Sequence, residues 1–422
     1  MRGLTSVWQE IKTMSRQEKL FVFFVMLVGF CTAGEYAITR PASTSIFLSI
    51  YSTKYLPFVW LITVPLNFLV VYLYNRFLPR IGPVAMLGIM VSSVMLMHVG
   101  CALFIKRVPW LIFFQFVWKD IYILLMFKQL WSLIHTTIAQ HRAKYLYGLI
   151  YGMGTIGSIV CSLIPGFFVT DVGSNHLFFL TLPLYAILFL AYRQAFSRSS
   201  LPANPLKDQF SESKHVKLQE SFSLIQKNPF LIFLLLLVAF MQVSVGLMEY
   251  QFNSYLEINI TDQDARTAYC GQITTIVNLL SGFFQCFGCF LLVHVLGLRG
   301  SHLFIPSVLF ASMLGFIGLP SFAMISFVFV FLKAVDFSLF GVIREMLYIP
   351  LKTEEKFRAK ALIDVFAYRT SKALASCLIL CLQIVAGMYL LPVIRYLSLA
   401  IFLAWIFLVI KLFKKNEASL RV

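Results

Sequence analysis

Residues 229–249 read PFLIFLLLLVAFMQVSVGLME, and from Phe230 to Met248 the run carries no charge. At about 1.5 Å of rise per helical residue, roughly 20 apolar residues cross the ~30 Å hydrocarbon core of a bilayer. This stretch is therefore predicted to be a transmembrane helix. Working outward, similar runs lie near 20–38, 56–75, 83–105, 109–137, 145–169 and 176–192. After it come 271–296, 302–319, 321–341, 361–391 and 393–411. The chain as a whole agrees: 59% of its 422 residues are hydrophobic and only 13% are charged. Soluble domains carry about 25% charged residues, so a water-soluble globule is excluded. The fold class expected is an all-α polytopic membrane protein of about twelve transmembrane helices.

The one long polar stretch runs from Arg193 to Asn228 and is rich in Ser, Pro and Lys. It divides the sequence into an N-terminal six-helix half (1–192), a cytoplasmic linker (193–228), a C-terminal six-helix half (229–412) and a cytoplasmic tail (413–422). The first span is not read as a cleaved signal peptide, since Glu35 and Arg40 follow it with no small-residue cleavage site. With both termini placed in the cytoplasm, the inside segments hold twenty-four basic residues. The outside segments hold six: Arg40, Lys54, Lys106, Arg107, Arg266 and Arg395. That is a strong positive-inside bias. It explains most of the +17 net charge as topology, and nucleic acid is excluded as a partner. The eight Cys lie mostly in apolar runs, and Cys286-x-x-Cys289 is flanked by Phe and Leu, so neither a disulfide framework, a metal nor another cofactor is indicated.

Of the 35 basic residues, five remain at membrane depth: Lys119, Lys128, Lys333, Arg369 and Lys372. Acids at similar depth are Glu35, Asp120, Glu249, Asp336 and Asp364. Each such charge costs roughly 2.5–3.5 kcal/mol even on the lenient insertion scale, so they need partners or water. An internal aqueous cavity meets that need, which is transporter or channel architecture. Lys128, Trp131 and His135 recur at helical spacing on the fourth span, as do Gln242, Glu249 and Asn253 on the seventh. Lys333 and Asp336 stand at i, i+3 and are expected to pair with each other. Arg369 and Lys372 share that spacing with like charge, which makes an anion a natural partner.

Gly152-Met-Gly154-Thr-Ile-Gly157 matches a dinucleotide-binding fingerprint, but it lies in an apolar span without the strand that motif requires. Close helix packing explains it better, with Gly148 and Gly152 forming a G-x-x-x-G pair. No Walker lysine, metalloprotease motif or nucleophile elbow is present, so the protein is not expected to be an enzyme or an ATPase. Pro350 ends the tenth span, and the charges from Lys352 to Asp364 form a connector able to gate by exchanging salt bridges.

Several of these segments resemble the bacterial and plastid-type ATP/ADP translocases. The resemblance is carried chiefly by Phe337-Ser-Leu-Phe340, Arg344-Glu345-Met346, Tyr348-Ile-Pro-Leu351 and Lys360-Ala-Leu-Ile-Asp364. Ala143-Lys144-Tyr145 through Gly157, Gly246-Leu-Met-Glu249-Tyr, and Arg16, Glu18 and Lys19 extend it. The chain departs where the family's first span continues Arg-Asp-x-Lys-Asp: here it reads Arg40-Pro41-Ala42-Ser43-Thr44. Asn253 and Gly341 likewise stand where the family has Lys and Asp. The resemblance implies a twelve-span protein in the major-facilitator arrangement that exchanges or imports a nucleotide or nucleotide-like anion by alternating access. Substrate contact is then expected from Arg40, Lys128, Trp131, Arg369 and Lys372. Coupling or gating is expected from Glu249, Lys333, Asp336, Arg344, Glu345 and Asp364. The partners expected are that small-molecule anion and the lipid bilayer, and the location a bacterial inner membrane. A proton-coupled carrier of another small metabolite and a non-transporting membrane scaffold stand as alternatives.

Overall fold

The structure is a computed structural model and describes residues 12–199, 228–348, 363 and 368–415. Among the described residues every regular element is a helix. The first six long ones are α1 (Arg16–Tyr51), α2 (Leu56–Ile81), α3 (Pro83–Phe104), α4 (Leu111–Thr137), α5 (Gln140–Phe167) and α6 (Leu177–Arg198). Then follow α7 (Pro229–Asn259), α8 (Gln263–Phe283), α9 (Cys289–Gly318), α10 (Phe322–Val335), α11 (Tyr368–Ala386) and α12 (Leu390–Lys415). Nine stretches among the described residues are long and apolar enough to cross a membrane, one of them continuous over α11 and α12. The long helices outside that set are α4, which carries Lys119, Asp120 and Lys128, and α8, which carries Asp264 and Arg266. Large apolar side chains such as Leu96, Phe290, Ile384 and Met388 are exposed, as the outer face of a protein solvated by lipid requires.

Local chemistry sets the helix ends. At the start of α1, the Ser15 backbone N–H donates to Glu18 Oε2 at 2.8 Å and the Glu18 N–H donates to Ser15 Oγ at 3.2 Å. This reciprocal capping box satisfies two amides that the first turn would leave bare. Ser15→Ala is expected to cost about 1 kcal/mol, measurable as a lower midpoint of thermal unfolding in detergent. Asn228 caps α7 by accepting from the Phe230 N–H at 3.0 Å, with Pro229 at the first helical position. Gly297 breaks α9 with φ 66° and ψ 178°, a left-handed conformation that glycine adopts without strain. The residues before the break continue from α8 through a π-turn at Phe284–Gly288. The eighth and ninth spans therefore divide between 296 and 302, as the apolar runs predict.

The first span is longer than the sequence suggests. The apolar run reads 20–38, yet α1 runs on through Pro41 to Tyr51. Membrane helices tolerate proline when neighbouring groups satisfy the freed backbone. Arg40 is consequently a mid-helix residue and not part of an outside loop. Arg266, also read as a loop residue, is buried on α8 and donates to Ser49 Oγ at 3.1 Å.

The chain forms two compact units. One comprises Met1–Ile50, Pro65–Ser213 and Thr261–Asn278; the other comprises Tyr51–Val64, Lys214–Ile260 and Leu279–Val422. In the first unit, glycines let helices cross closely. A Cβ on Gly34 would lie 2.6 Å from Cys161 Sγ, and one on Gly157 would overlap the backbone of Phe30. Gly148 and Gly152 face open space, so the close approach of α1 and α5 uses Gly157 and Gly34 and not the G-x-x-x-G pair. Further along α5, Gly166 meets Gly271 of α8, and Thr275 Oγ1 donates to Ser162 Oγ at 2.9 Å.

Candidate functional site

In the second unit, α7 and α10 bring four polar side chains into contact. Lys333 Nζ lies 2.8 Å from Glu249 Oε2, and the pair is largely buried, with side-chain exposures of 7% and 20%. Two turns earlier on α7, Gln242 Nε2 donates to Asp336 Oδ1 at 3.0 Å. Gln242 and Glu249 are seven residues apart, so both project from one face of α7 toward α10. Lys333 and Asp336, expected to pair along their own helix, thus each also have a partner on α7.

The surroundings hold this arrangement in place. Gly246, one turn before Glu249, lies so close to α11 that an added Cβ would come 2.8 Å from Ala375 Cβ. The Lys333 ammonium sits 5.6 Å from the Phe329 ring centroid and 5.8 Å from that of Phe337, within the range of cation–π attraction. Phe329 in turn stacks on Phe252 at 4.2 Å. After Lys333, α10 widens into a π-turn at Asp336–Phe340 and resumes as Gly341–Leu347. That turn contains Phe337-Ser-Leu-Phe340, the stretch that carries the family resemblance. Gln285, in the π-turn that follows α8, donates to the Phe337 carbonyl at 3.1 Å. Single π-turns inside α-helices recur at functional sites. Chemically, the cluster offers a buried cation whose carboxylate partner an incoming anion can displace.

The remaining predicted residues are dispersed. Arg344 and Glu345 are neighbours with a 3.9 Å contact between their charged groups. Lys372 of α11 lies 5.9 Å from the ring of Trp60. Arg369 is on α11; Asp364 and the connector from Lys352 fall outside the described residues. In the first unit, Arg40 is half-buried on α1. Lys128 is exposed on α4 and donates to Asn75 Oδ1 at 2.7 Å. Trp131 packs at 5.5 Å against both His135 and Tyr147.

A second polar cluster, in the first unit, received no role from the sequence. Glu35 of α1 is fully buried, and its Oε2 accepts from Tyr122 at 3.2 Å, Tyr185 at 2.5 Å and Thr39 at 3.3 Å. Nearby His98 is also fully buried, with Nδ1 2.7 Å from Thr181 Oγ1 and Nε2 2.8 Å from Gln115 Nε2. The signal available in the sequence was Glu35 itself, a deep acid with Thr39 one turn away and no basic residue within reach on its own helix turn. Its tyrosine partners come from α4 and α6, which spacing along one helix cannot reveal.

These observations define an all-helical, polytopic membrane fold of about twelve long helices, and solved structures share it. A bacterial homologue of the iron transporter ferroportin, in an inward-facing state, superposes with a TM-score of 0.68 over 94% of this chain and 99% of that one, at 14% identity. The family model described as TLC ATP/ADP transporter matches residues 323–416, which span α10 to α12. The chain is 27% identical over 227 residues to ADP,ATP carrier protein 1 of Chlamydia muridarum, covering 48% of this chain and 43% of that protein. It is 24% identical over 296 residues to the protein of the same name from Rickettsia typhi, covering 61% and 57%. The matched stretches thus span about half the length of these curated relatives. Over these stretches the chain is similar to the ATP/ADP transporters.

Proposed function

We propose that the protein is a secondary transporter that exchanges or imports a nucleotide or nucleotide-like anion by alternating access. The observation that carries this reading is where the family match falls. It covers the helices that hold Lys333, Asp336, Arg344 and Lys372, and Lys333 is the buried cation whose partner an anion can replace. Glu249, released when the anion takes Lys333, would couple solute binding to the conformational change. Arg40, Lys128, Arg369 and Lys372 are the further cations assigned to the anion, Trp131 is assigned to stacking on a base, and Arg344, Glu345 and Asp364 to gating. Transporter families of this kind bind solute near the bilayer midplane. The charge bias of the loops supports both termini cytoplasmic, and the likeness to bacterial carriers supports a bacterial inner membrane.

A solute that binds the native state selectively stabilises it, by about 2.7 kcal/mol at a hundredfold excess over Kd. Purified protein is therefore expected to unfold at higher temperature with ATP or ADP, and less so with the uncharged nucleoside. Equal stabilisation by nucleoside and nucleotide, or none by either, would remove the anionic nucleotide from the proposal.

A further inference from the structure

Glu35 carries a problem that the rest of the molecule does not solve. Its carboxyl group has 0% exposure, and among the described residues no cation pairs with it. On α4, which supplies Tyr122, Lys119 lies 3.3 Å from Asp120. Oε2 receives three hydroxyl donors, while Oε1 is buried with no hydrogen-bond partner. An unpaired carboxylate in a low-dielectric interior costs several kcal/mol, and a bound proton removes that cost. Three hydroxyls aimed at one oxygen serve the opposite state, since they are the donors an anion needs. The site is therefore equipped for both forms of the carboxyl group.

The groups facing Glu35 do not compete for that role. Tyr185 and Tyr122 approach from α6 and α4, with their hydroxyls 3.1 Å apart. His98 of α3 packs edge-on against both rings, at 5.4 and 6.3 Å. Thr181 Oγ1 donates to Phe178 O at 2.7 Å, so it accepts from Nδ1–H of His98, and the Gln115 amide donates to Nε2. Both ring nitrogens of His98 are thereby used, and the imidazole acts as a neutral strut. Cys161, against Gly34, Cys31, and Tyr36, which donates to Asp120 Oδ1 at 3.1 Å, are further titratable groups on the surrounding helices.

We propose that Glu35, framed by Tyr122, Tyr185 and Thr39, is a proton-binding site that couples proton movement to transport. Release breaks the carboxyl O–H bond and passes the proton to water once the site opens; the carboxylate left behind is held by the three hydroxyl donors. Rebinding from the other side reverses the step, with no redox partner. The site rests on the geometry alone; its coupling to solute rests on the transporter reading above.

Infrared difference spectroscopy on the purified full-length protein tests the site without any solute. Raising the pH is expected to bleach the carbonyl-stretch band of a protonated carboxylic acid, and Glu35→Gln should abolish that band. Tyr185→Phe, which removes one donor and keeps the ring, should shift the band and show the site intact where Glu35→Gln folds poorly. No titrating carboxyl band assignable to Glu35 at any pH, or a band change driven by sodium and not by pH, would overturn the proposal. In proteoliposomes, an imposed gradient of one pH unit should drive accumulation by up to about tenfold for one proton per solute, and Glu35→Gln should lose it. A Glu35 band with no flux of any nucleotide would leave the proton site standing and remove the nucleotide reading; nucleotide flux without the band would do the reverse.

Discussion

Lys333→Met is expected to destabilise the protein by about 3–5 kcal/mol, the usual cost of stranding one partner of a buried ion pair. The reason is local. Lys333 and Glu249 meet at 2.8 Å in surroundings formed by Phe329, Phe337 and Phe252, and removing the ammonium leaves a carboxylate with little water to solvate it. Glu249→Gln in the same chain should recover most of that loss, because two uncharged side chains of similar size no longer carry the desolvation cost. Transport should not recover, since the cation for the solute and the acid it displaces are both gone. The check is a double-mutant comparison: unfolding midpoints in detergent beside solute flux for each single variant and the pair. A double variant with normal flux would reduce the pair to a packing element.

Gly157→Val should be more disruptive still. Its Cβ would overlap the backbone carbonyl group of Phe30, with the carbonyl carbon and Cα both at 2.9 Å. Backbone cannot swing aside as a long side chain does. Adding methyl groups to a packed interior ordinarily costs about 1–3 kcal/mol. Here α1 must also separate from α5, which disturbs Gly34 against Cys161 and, one residue on, Glu35. The expected result is loss of monodisperse protein on size-exclusion chromatography. Gly148→Ala and Gly152→Ala are the controls: both positions face open space, and alanine is intrinsically preferred over glycine in a helix by about 1 kcal/mol. Equal tolerance of all three changes would contradict the close crossing.

The membrane-spanning helices were largely legible from sequence because bilayer thickness sets the length of each apolar run. Where the reading failed, a local rule gave way to context. The apolar run 20–38 left Arg40 outside the first span, but α1 continues through Pro41 to Tyr51 and makes Arg40 a mid-helix residue. The G-x-x-x-G spacing at Gly148 and Gly152 was visible, yet the rotation of α5 puts Gly154 and Gly157 against α1. The polar residues at the candidate site were visible too, since charge inside an apolar run stands out. Their partners were not, because helical spacing shows which residues share a face and not which helix that face meets. Lys333 was therefore matched with Asp336 on its own helix, while its contact with Glu249 on α7 stayed hidden. Glu35 was seen as a deep acid without the two tyrosines that explain how it is accommodated.

The most direct measurement is counterflow with the purified protein in sealed proteoliposomes. Vesicles preloaded with unlabelled ADP are expected to take up labelled ATP from outside faster than empty vesicles, and Lys333→Met combined with Glu249→Gln should abolish the difference. Labelled nucleotide entering neither preloaded nor empty vesicles, with the protein shown to be folded and inserted, would contradict nucleotide transport by this chain.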